Sequence, residues 1–161
     1  MTLIKDKIIT SSADLARRIS KWKSEGKKIV FTNGCFDLLH VGHVLYLESA
    51  SLLGDILLVG LNSDDSVRRL KGSNRPINDE HNRTYVLAGL YSVDGVIIFE
   101  EDDPLRLIHE ICPDILVKGG DWKPEQIIGS DFVIRNGGAV RSLQFVDGYS
   151  TTSIEQKIKG L

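Results

Sequence analysis

Asn33-Gly-Cys-Phe-Asp-Leu-Leu-His-Val-Gly-His43 sets two imidazoles three residues apart. The segment follows an apolar run, Lys28–Thr32, and leads into an apolar-periodic stretch, Val41–Leu53. That layout predicts a strand turning into a helix. The first turn of a helix leaves N–H groups unpaired and carries partial positive charge, so it favours anions, phosphate above all. Residues at i and i+3 share a helix face, so His40 and His43 can both reach one phosphate. Gly42 between them removes a side chain where a ligand would approach. Cys35, Asp37, His40 and His43 also have the types of metal ligands. No second Cys/His cluster follows at zinc-like spacing, which ranks a metal site behind a phosphate site. The plain alternative is a pair of surface histidines.

Other loops carry further candidates. Lys71 and Arg75 in Lys-Gly-Ser-Asn-Arg-Pro76 read equally as a solvated basic loop or as a clamp bringing positive charge to phosphates. Lys118-Gly-Gly-Asp-Trp122 reads as a turn, or as backbone that can follow the edge of a flat base. Ser150-Thr-Thr-Ser153 reads as a helix N-cap or as hydroxyls and amides suited to a phosphate chain. Arg83, one turn into a helix, reads as a surface residue. Trp22 and Tyr85 read as packing residues, and Cys112, His81 and His109 carry no functional assignment.

The elements that must position these residues alternate. Strands are expected at about 28–32, 55–61, 93–99, 114–118 and 139–145. Helices are expected at about 11–25, 41–53, 64–70, 79–90, 104–112, 127–136 and 150–158. The first helix has Ser11 as N-cap with Asp14 three residues on. Pro104 stands at the favoured first position of its helix, and Pro113 ends it. This is the pattern of an α/β chain with a five-stranded parallel sheet and right-handed crossovers. One domain, 1–161, is expected, with 1–26 as an N-terminal helical extension of a 28–158 core. The apolar residues of that extension can cap the sheet or join two subunits. Ligands bind beyond the carboxyl ends of such strands, and Asn33–His43, Asn62–Asp64, Lys118–Asp121 and Asp147–Thr152 all fall there.

A net charge of −2 gives no reason to expect nucleic acid or an anionic membrane as partner. Two cysteines make no disulfide framework, which suits a reducing compartment. With no signal-peptide layout and no apolar run of membrane length, the expectation is a soluble cytoplasmic protein.

Asn33–His43 together with Tyr149-Ser-Thr-Thr-Ser-Ile154 resembles the cytidylyltransferase-like nucleotidyltransferase superfamily. Residues from about Val30 to Ile158 resemble more closely the adenylyltransferase domain of the bifunctional heptose-phosphate kinase/adenylyltransferases of lipopolysaccharide synthesis. The likeness rests on Leu61-Asn-Ser-Asp64, Val67-Arg-Arg-Leu-Lys-Gly72, Arg75-Pro-Ile-Asn78, Leu116-Val-Lys-Gly-Gly-Asp-Trp122 and Asp147-Gly-Tyr-Ser-Thr-Thr152. The resemblance implies a Rossmann-like doubly wound fold and a stand-alone adenylyltransferase without the kinase. Its reaction would be ATP plus D-glycero-β-D-manno-heptose 1-phosphate giving ADP-heptose and pyrophosphate, with Mg²⁺, in a homodimer or higher homo-oligomer.

The implied catalytic residues are His40, His43, Lys71 and Arg75. Asn33, Gly34, Cys35, Phe36, Asp37, Gly42 and Asn62 would lie along the nucleotide. Lys118, Gly119 and Asp121 would hold the nucleoside, and Ser150, Thr151 and Thr152 the phosphates. The nearest alternative is a glycerol-3-phosphate-type cytidylyltransferase or another sugar-phosphate nucleotidyltransferase. The first two of three departures speak against its cytidine site and suit the heptose branch. Tyr91-Ser-Val-Asp94 lacks the arginine that the glycerol-3-phosphate branch carries there, Phe145 stands where that branch has a second arginine, and Lys157 replaces the arginine of several relatives.

Overall fold

A computed structural model describes residues 3–144 and 148–160. The apolar run after Asp55 forms β3 (Ile56–Asn62), buried along nearly its whole length. Such a run has no polar face because helices cover the sheet on both sides. β2 (Ile29–Gly34) flanks β3 on one side and β4 (Gly95–Phe99) on the other. β5 (Ile115–Gly119) and β6 (Ala139–Leu143) continue outward from β2. Every strand pairing is parallel. The chain runs from β2 through β3 to β4 and then crosses back to β5 and β6. Strand order therefore reverses between β2 and β5, and the crevice at their carboxyl ends is where open α/β sheets bind ligands.

The sheet has six strands where five were expected. Ile8–Ile9, β1, pairs in parallel with Val96 and Ile97 of β4 and forms the edge. Two residues carry no periodicity to read. Residues 1–26 are therefore more than a helical extension. They supply this strand and α1 (Ser12–Ser24), whose Leu15 and Ile19 cap the sheet from within the same chain.

One face of the sheet is packed by α1, α5 (Leu105–Ile111) and α6 (Ser130–Arg135), through Leu15, Leu107, Ile108 and Val133 against Phe31, Leu58 and Leu116. The opposite face is packed by α2 (Val41–Ser51) and α4 (Glu80–Ala88), through Tyr46, Leu47 and Leu87 against Val30, Leu57, Val59 and Val117. Alternate residues of each strand thus serve alternate layers. α3 (Asp64–Lys71) follows β3 directly, and α7 (Thr151–Lys159) follows β6. The predicted helix over 127–136 begins only at Ser130, because Gly129 takes a left-handed φ of 84° after a 3₁₀ turn at Pro124–Gln126. Pro104 caps α5 and is not its first residue. The Ser11 hydroxyl accepts from the Asp14 N–H, as expected of an N-cap. Among the described residues no helix is long and apolar enough to cross a membrane.

Parallel neighbours have no hairpin to fix their register. Here three aspartates do it, each just before or at the start of a strand. Asp55 donates its N–H to Lys28 O and accepts from Lys28 N at 2.8 Å. Asp94 does the same with Leu57, and Asp114 with Ile29 at 2.7 Å. Each clamp satisfies an N–H at the amino end of the neighbouring strand that has no ladder partner there. Burial raises the Asp94 carboxyl above its usual range, against the Leu57 N–H and Lys7, which favour the charged form. Asp114→Ala, which leaves the Ile29 N–H unpaired, should cost about 1–3 kcal/mol in urea unfolding. Asp114→Asn, which keeps an acceptor, should recover part of that loss; an Ala variant as stable as the parent would remove the clamp's role.

Candidate active site

At the carboxyl end of β2 the chain leaves the sheet at Asn33–Gly34. It passes through Phe36 at a φ of 44°, a left-handed conformation that a bulky residue holds only when its surroundings impose it. The Phe36 ring is buried, and a Cβ on Gly34 would stand 3.0 Å from it, so glycine makes room for the ring. Phe36 in turn makes an edge-type contact with the His43 ring, with centroids 5.4 Å apart.

His40 is the N-cap of α2, and its carbonyl accepts from the His43 N–H at 2.9 Å. The two imidazoles lie against each other with centroids 3.9 Å apart, tilted by 30°. Gly42 has a different role from the one expected of it. A Cβ there would meet His40 Cε1 and Nδ1 at 3.0 Å and Tyr149 Cβ at 3.4 Å. Glycine therefore lets His40 fold back over the helix and lets the segment before α7 close on it. Burial pushes His43 down to about 4, helped by the adjacent His40, which would repel a second charge, and by the Lys71 ammonium, and burial also lowers His40. Both Nδ1 atoms are buried without a hydrogen-bond partner among the described residues. The site thus holds two neutral imidazoles with unused polar atoms at a helix N-terminus.

His43 lines a small cavity of about 150 Å³ with Asn33, Gly34, Cys35, Phe36, Asp37, Tyr46, Lys71, Lys118, Gly119 and Thr151. Lys71 arrives from the last turn of α3, Lys118 from β5, and Thr151 from the first turn of α7. Burial lowers the Lys118 ammonium and raises the Cys35 thiol. Tyr46, one turn beyond His43, was not singled out from the sequence. Its hydroxyl meets Thr32 Oγ1 at 2.7 Å, and burial pushes it up to about 12.

A second cavity, of about 310 Å³, opens on the α5–α6 side. Asn33, Pro104, Leu116, Val117, Lys118, Trp122, Gln126, Ile127 and Ile128 line it. Asn33 and Lys118 belong to both cavities.

Three charged residues take roles that the sequence does not announce. Arg83 is buried, not a surface residue. Its Nε donates to Asn78 O, its Nη1 to Cys35 O and Asn62 O, and its Nη2 to Asp64 Oδ1, all at 2.7–2.9 Å. Asp37 is buried and directed at the chain's own loop. It accepts from Ile77 N at 2.8 Å, from Asn78 N at 2.9 Å, and from the Arg75 guanidinium. Burial alone would raise its carboxyl, but those two N–H groups and Arg75 outweigh burial and hold it below the usual range. Arg75 is held between two carboxylates, Asp37 and Glu155 of α7, so in this state its guanidinium is not directed at the cavity.

The remaining candidates fall outside the cavities. Asn62 is buried, with its amide donating to Ser66 Oγ at 3.0 Å. The Ser150 hydroxyl accepts from Ser153 N as the N-cap of α7. Thr152 and Asp121 are exposed. Phe145 and Asp147 lie outside the described residues. Among the described residues no group of three or more His, Cys, Asp or Glu side chains is arranged to hold a metal ion.

The cytidylyltransferase-like family model matches residues 31–157. The chain is 59% identical over 94% of its length to the bifunctional protein HldE of Haemophilus influenzae. It is 58% identical over 95% of its length to the HldE of Pasteurella multocida. It spans about a third of the length of these curated relatives, 32% in both cases. A lipopolysaccharide core biosynthesis protein from Thermoplasma volcanium, 31% identical, superposes with a TM-score of 0.60 over 78% of this chain and 100% of that one. Pantothenate synthetase from Thermus thermophilus, 14% identical, superposes at 0.63 over 95% of this chain and 70% of that one, a likeness of fold alone.

The depressed His43 has a consequence for stability. Between its ordinary value of 6.5 and about 4, the unfolded chain takes a proton at His43 that the folded chain refuses. Stability should therefore fall as pH drops through that window. His43→Gln should flatten this part of a urea-midpoint-against-pH curve, and an unchanged slope would mean that His43 is not held neutral.

Proposed function

The chain belongs to the cytidylyltransferase-like family, and on that premise we propose that it transfers the adenylyl group of ATP to D-glycero-β-D-manno-heptose 1-phosphate, giving ADP-heptose and pyrophosphate. The observation that carries the chemistry is the small cavity at the β2–β5 crevice. His43, with His40 stacked on it at a helix N-terminus, converges there with Lys71 and Lys118 beside the backbone of a strand-to-helix turn. It is a site for a polyphosphate. The sugar and the base come from the resemblance of Leu116–Trp122 and Asp147–Thr152 to the heptose adenylyltransferases. The HldE proteins and the lipopolysaccharide core biosynthesis protein support that assignment by identity along most of this chain.

A sugar phosphate oxygen is already anionic, so attack on the α-phosphorus needs no strong base. The chain's task is to position the two phosphates and to stabilise charge that builds toward the leaving pyrophosphate. His40 and His43, each able as neutral imidazole to donate one N–H, and the Lys71 ammonium stand where that charge develops. Thr151 and the first turn of α7 close the cavity from the other side. Arg75 would join them by exchanging Glu155 for a phosphate oxygen. A magnesium ion would enter with the triphosphate and neutralise its charge, held by phosphate oxygens more than by a protein cage, since Asp37 is engaged by the 75–78 loop.

A cytoplasmic setting, where ATP is plentiful, suits this reaction. A homo-oligomer gains no support from α1, whose apolar face is used on the sheet.

The family's description keeps a cytidylyl reading in play, and a substrate panel separates the two. Pyrophosphate release should be fastest with ATP and heptose 1-phosphate among ATP, CTP, heptose 1-phosphate and glycerol 3-phosphate combined in pairs. Preference for CTP overturns the assignment. His43→Ala should lower kcat by about 100-fold or more while circular dichroism and the unfolding midpoint at pH 7 show a folded chain. Turnover near that of the parent would remove His43 from catalysis.

A further inference from the structure

Arg75 is held at both ends of its guanidinium fork, by two carboxylates of different standing. Asp37 takes one end while accepting from Ile77 N and Asn78 N, and its side chain is only 2% exposed. It belongs to the framework of the loop. Glu155 takes the other end from α7, with its side chain 25% exposed. Arg75 is its one ion-pair partner among the described residues. Separate donors serve the two carboxylates, Nη1 for Asp37 and Nη2 for Glu155, so the second can leave without disturbing the first.

Thr151 lines the His43 cavity, and Glu155 follows it by four residues, which puts both on one face of α7. Carboxylate and phosphate offer a guanidinium the same pair of acceptor oxygens, so Glu155 occupies the fork that a phosphate would use. The helix that carries it is lightly held. No residue of α7 is fully buried, and elements with few buried contacts open at low cost. Glu155 also has a second partner within reach of its own helix. Lys159 is exposed four residues on, and Glu before Lys at i, i+4 is the favourable order for a helical ion pair. We propose that Glu155 is a built-in competitor for phosphate: its ion pair with Arg75 straps α7 to the 75–78 loop, and an entering triphosphate takes the guanidinium and releases Glu155 to Lys159. This rests on the polyphosphate reading of the cavity. Glu155 acts through Arg75 and is a positioning residue. While the strap is closed, Arg75 is withheld, and triphosphate binds less tightly than the open site would allow.

Glu155→Gln keeps the shape of the side chain and removes the competing charge. In calorimetric titrations the variant should bind magnesium-ATP and inorganic tripolyphosphate about three- to fivefold more tightly than the parent, the size expected of one partly exposed ion pair. Hydrogen exchange of the 151–159 amides gives a second readout. Without ligand it should be faster in the variant, and with saturating ATP the two proteins should match. If Glu155 only supported α7 as structure, its loss would weaken both ligands; that result overturns the strap, and so does unchanged affinity. Arg75→Gln should weaken both ligands and abolish the gain from Glu155→Gln in the double variant. A gain that survives there overturns the route through Arg75. A parent that binds tripolyphosphate in a Glu155-sensitive way but releases no pyrophosphate from ATP and heptose 1-phosphate supports the strap and overturns the adenylyl reading. A parent that releases pyrophosphate but binds ATP no differently from Glu155→Gln keeps the reaction and overturns the strap. A parent that binds neither ATP nor tripolyphosphate overturns both.

Discussion

The guanidinium of Arg83 reaches four acceptors that come from four different segments: Cys35 O beyond β2, Asn62 O at the end of β3, Asp64 at the start of α3, and Asn78 O in the loop before α4. Main-chain carbonyls at the carboxyl end of a parallel strand run out of ladder partners, and buried ones must be satisfied some other way. A buried cation, for its part, is tolerable only when its donors are all engaged. The two needs are met together, and each segment is thereby fixed relative to the others. Asp37, His40, His43 and Lys71 all follow an Arg83 acceptor by two to eight residues along the chain. Their mutual placement therefore depends on this one side chain, although it touches neither cavity.

Around that anchor the site is arranged so that charge is held ready but not yet committed. His40 and His43 are neutral because burial disfavours their charged forms, and their Nδ1 atoms wait without partners. Arg75 is occupied by Asp37 and Glu155, which joins the loop over 75–78 to α7. Lys71 and Lys118 approach from opposite sides of the crevice. Donors fixed in this way are preorganised for an anionic ligand, and preorganisation is where electrostatic stabilisation is strongest.

The second cavity follows from topology and not from any motif. The strand order reverses between β2 and β5, so helices lie on opposite faces of the sheet to either side of the crevice.

The alternation of apolar runs and amphipathic stretches was enough to place five strands and most helices within a few residues, because periodicity and caps are local properties. It was not enough for Ile8–Ile9, whose role as an edge strand exists only once β4 is beside it. The polar loops were likewise legible as a set, because α/β connectivity sends the carboxyl ends of parallel strands to one edge. Arg83 looked like a surface residue because nothing within a helical turn of it shows that three carbonyls from distant segments converge on its head group. Gly42 looked like a gap left for a ligand, whereas the tertiary structure fills that gap with His40 and the approach to α7. Asp37 and Arg75 looked like ligand-binding groups, and the fold pairs them with each other. By itself the sequence determined the fold class, the edge of the sheet at which chemistry occurs and the residue types available there, since all three depend on neighbours in the chain. Only the tertiary structure decided which of those charges face the cavity and which hold the loops in place, because a charge takes its partner from space and not from sequence.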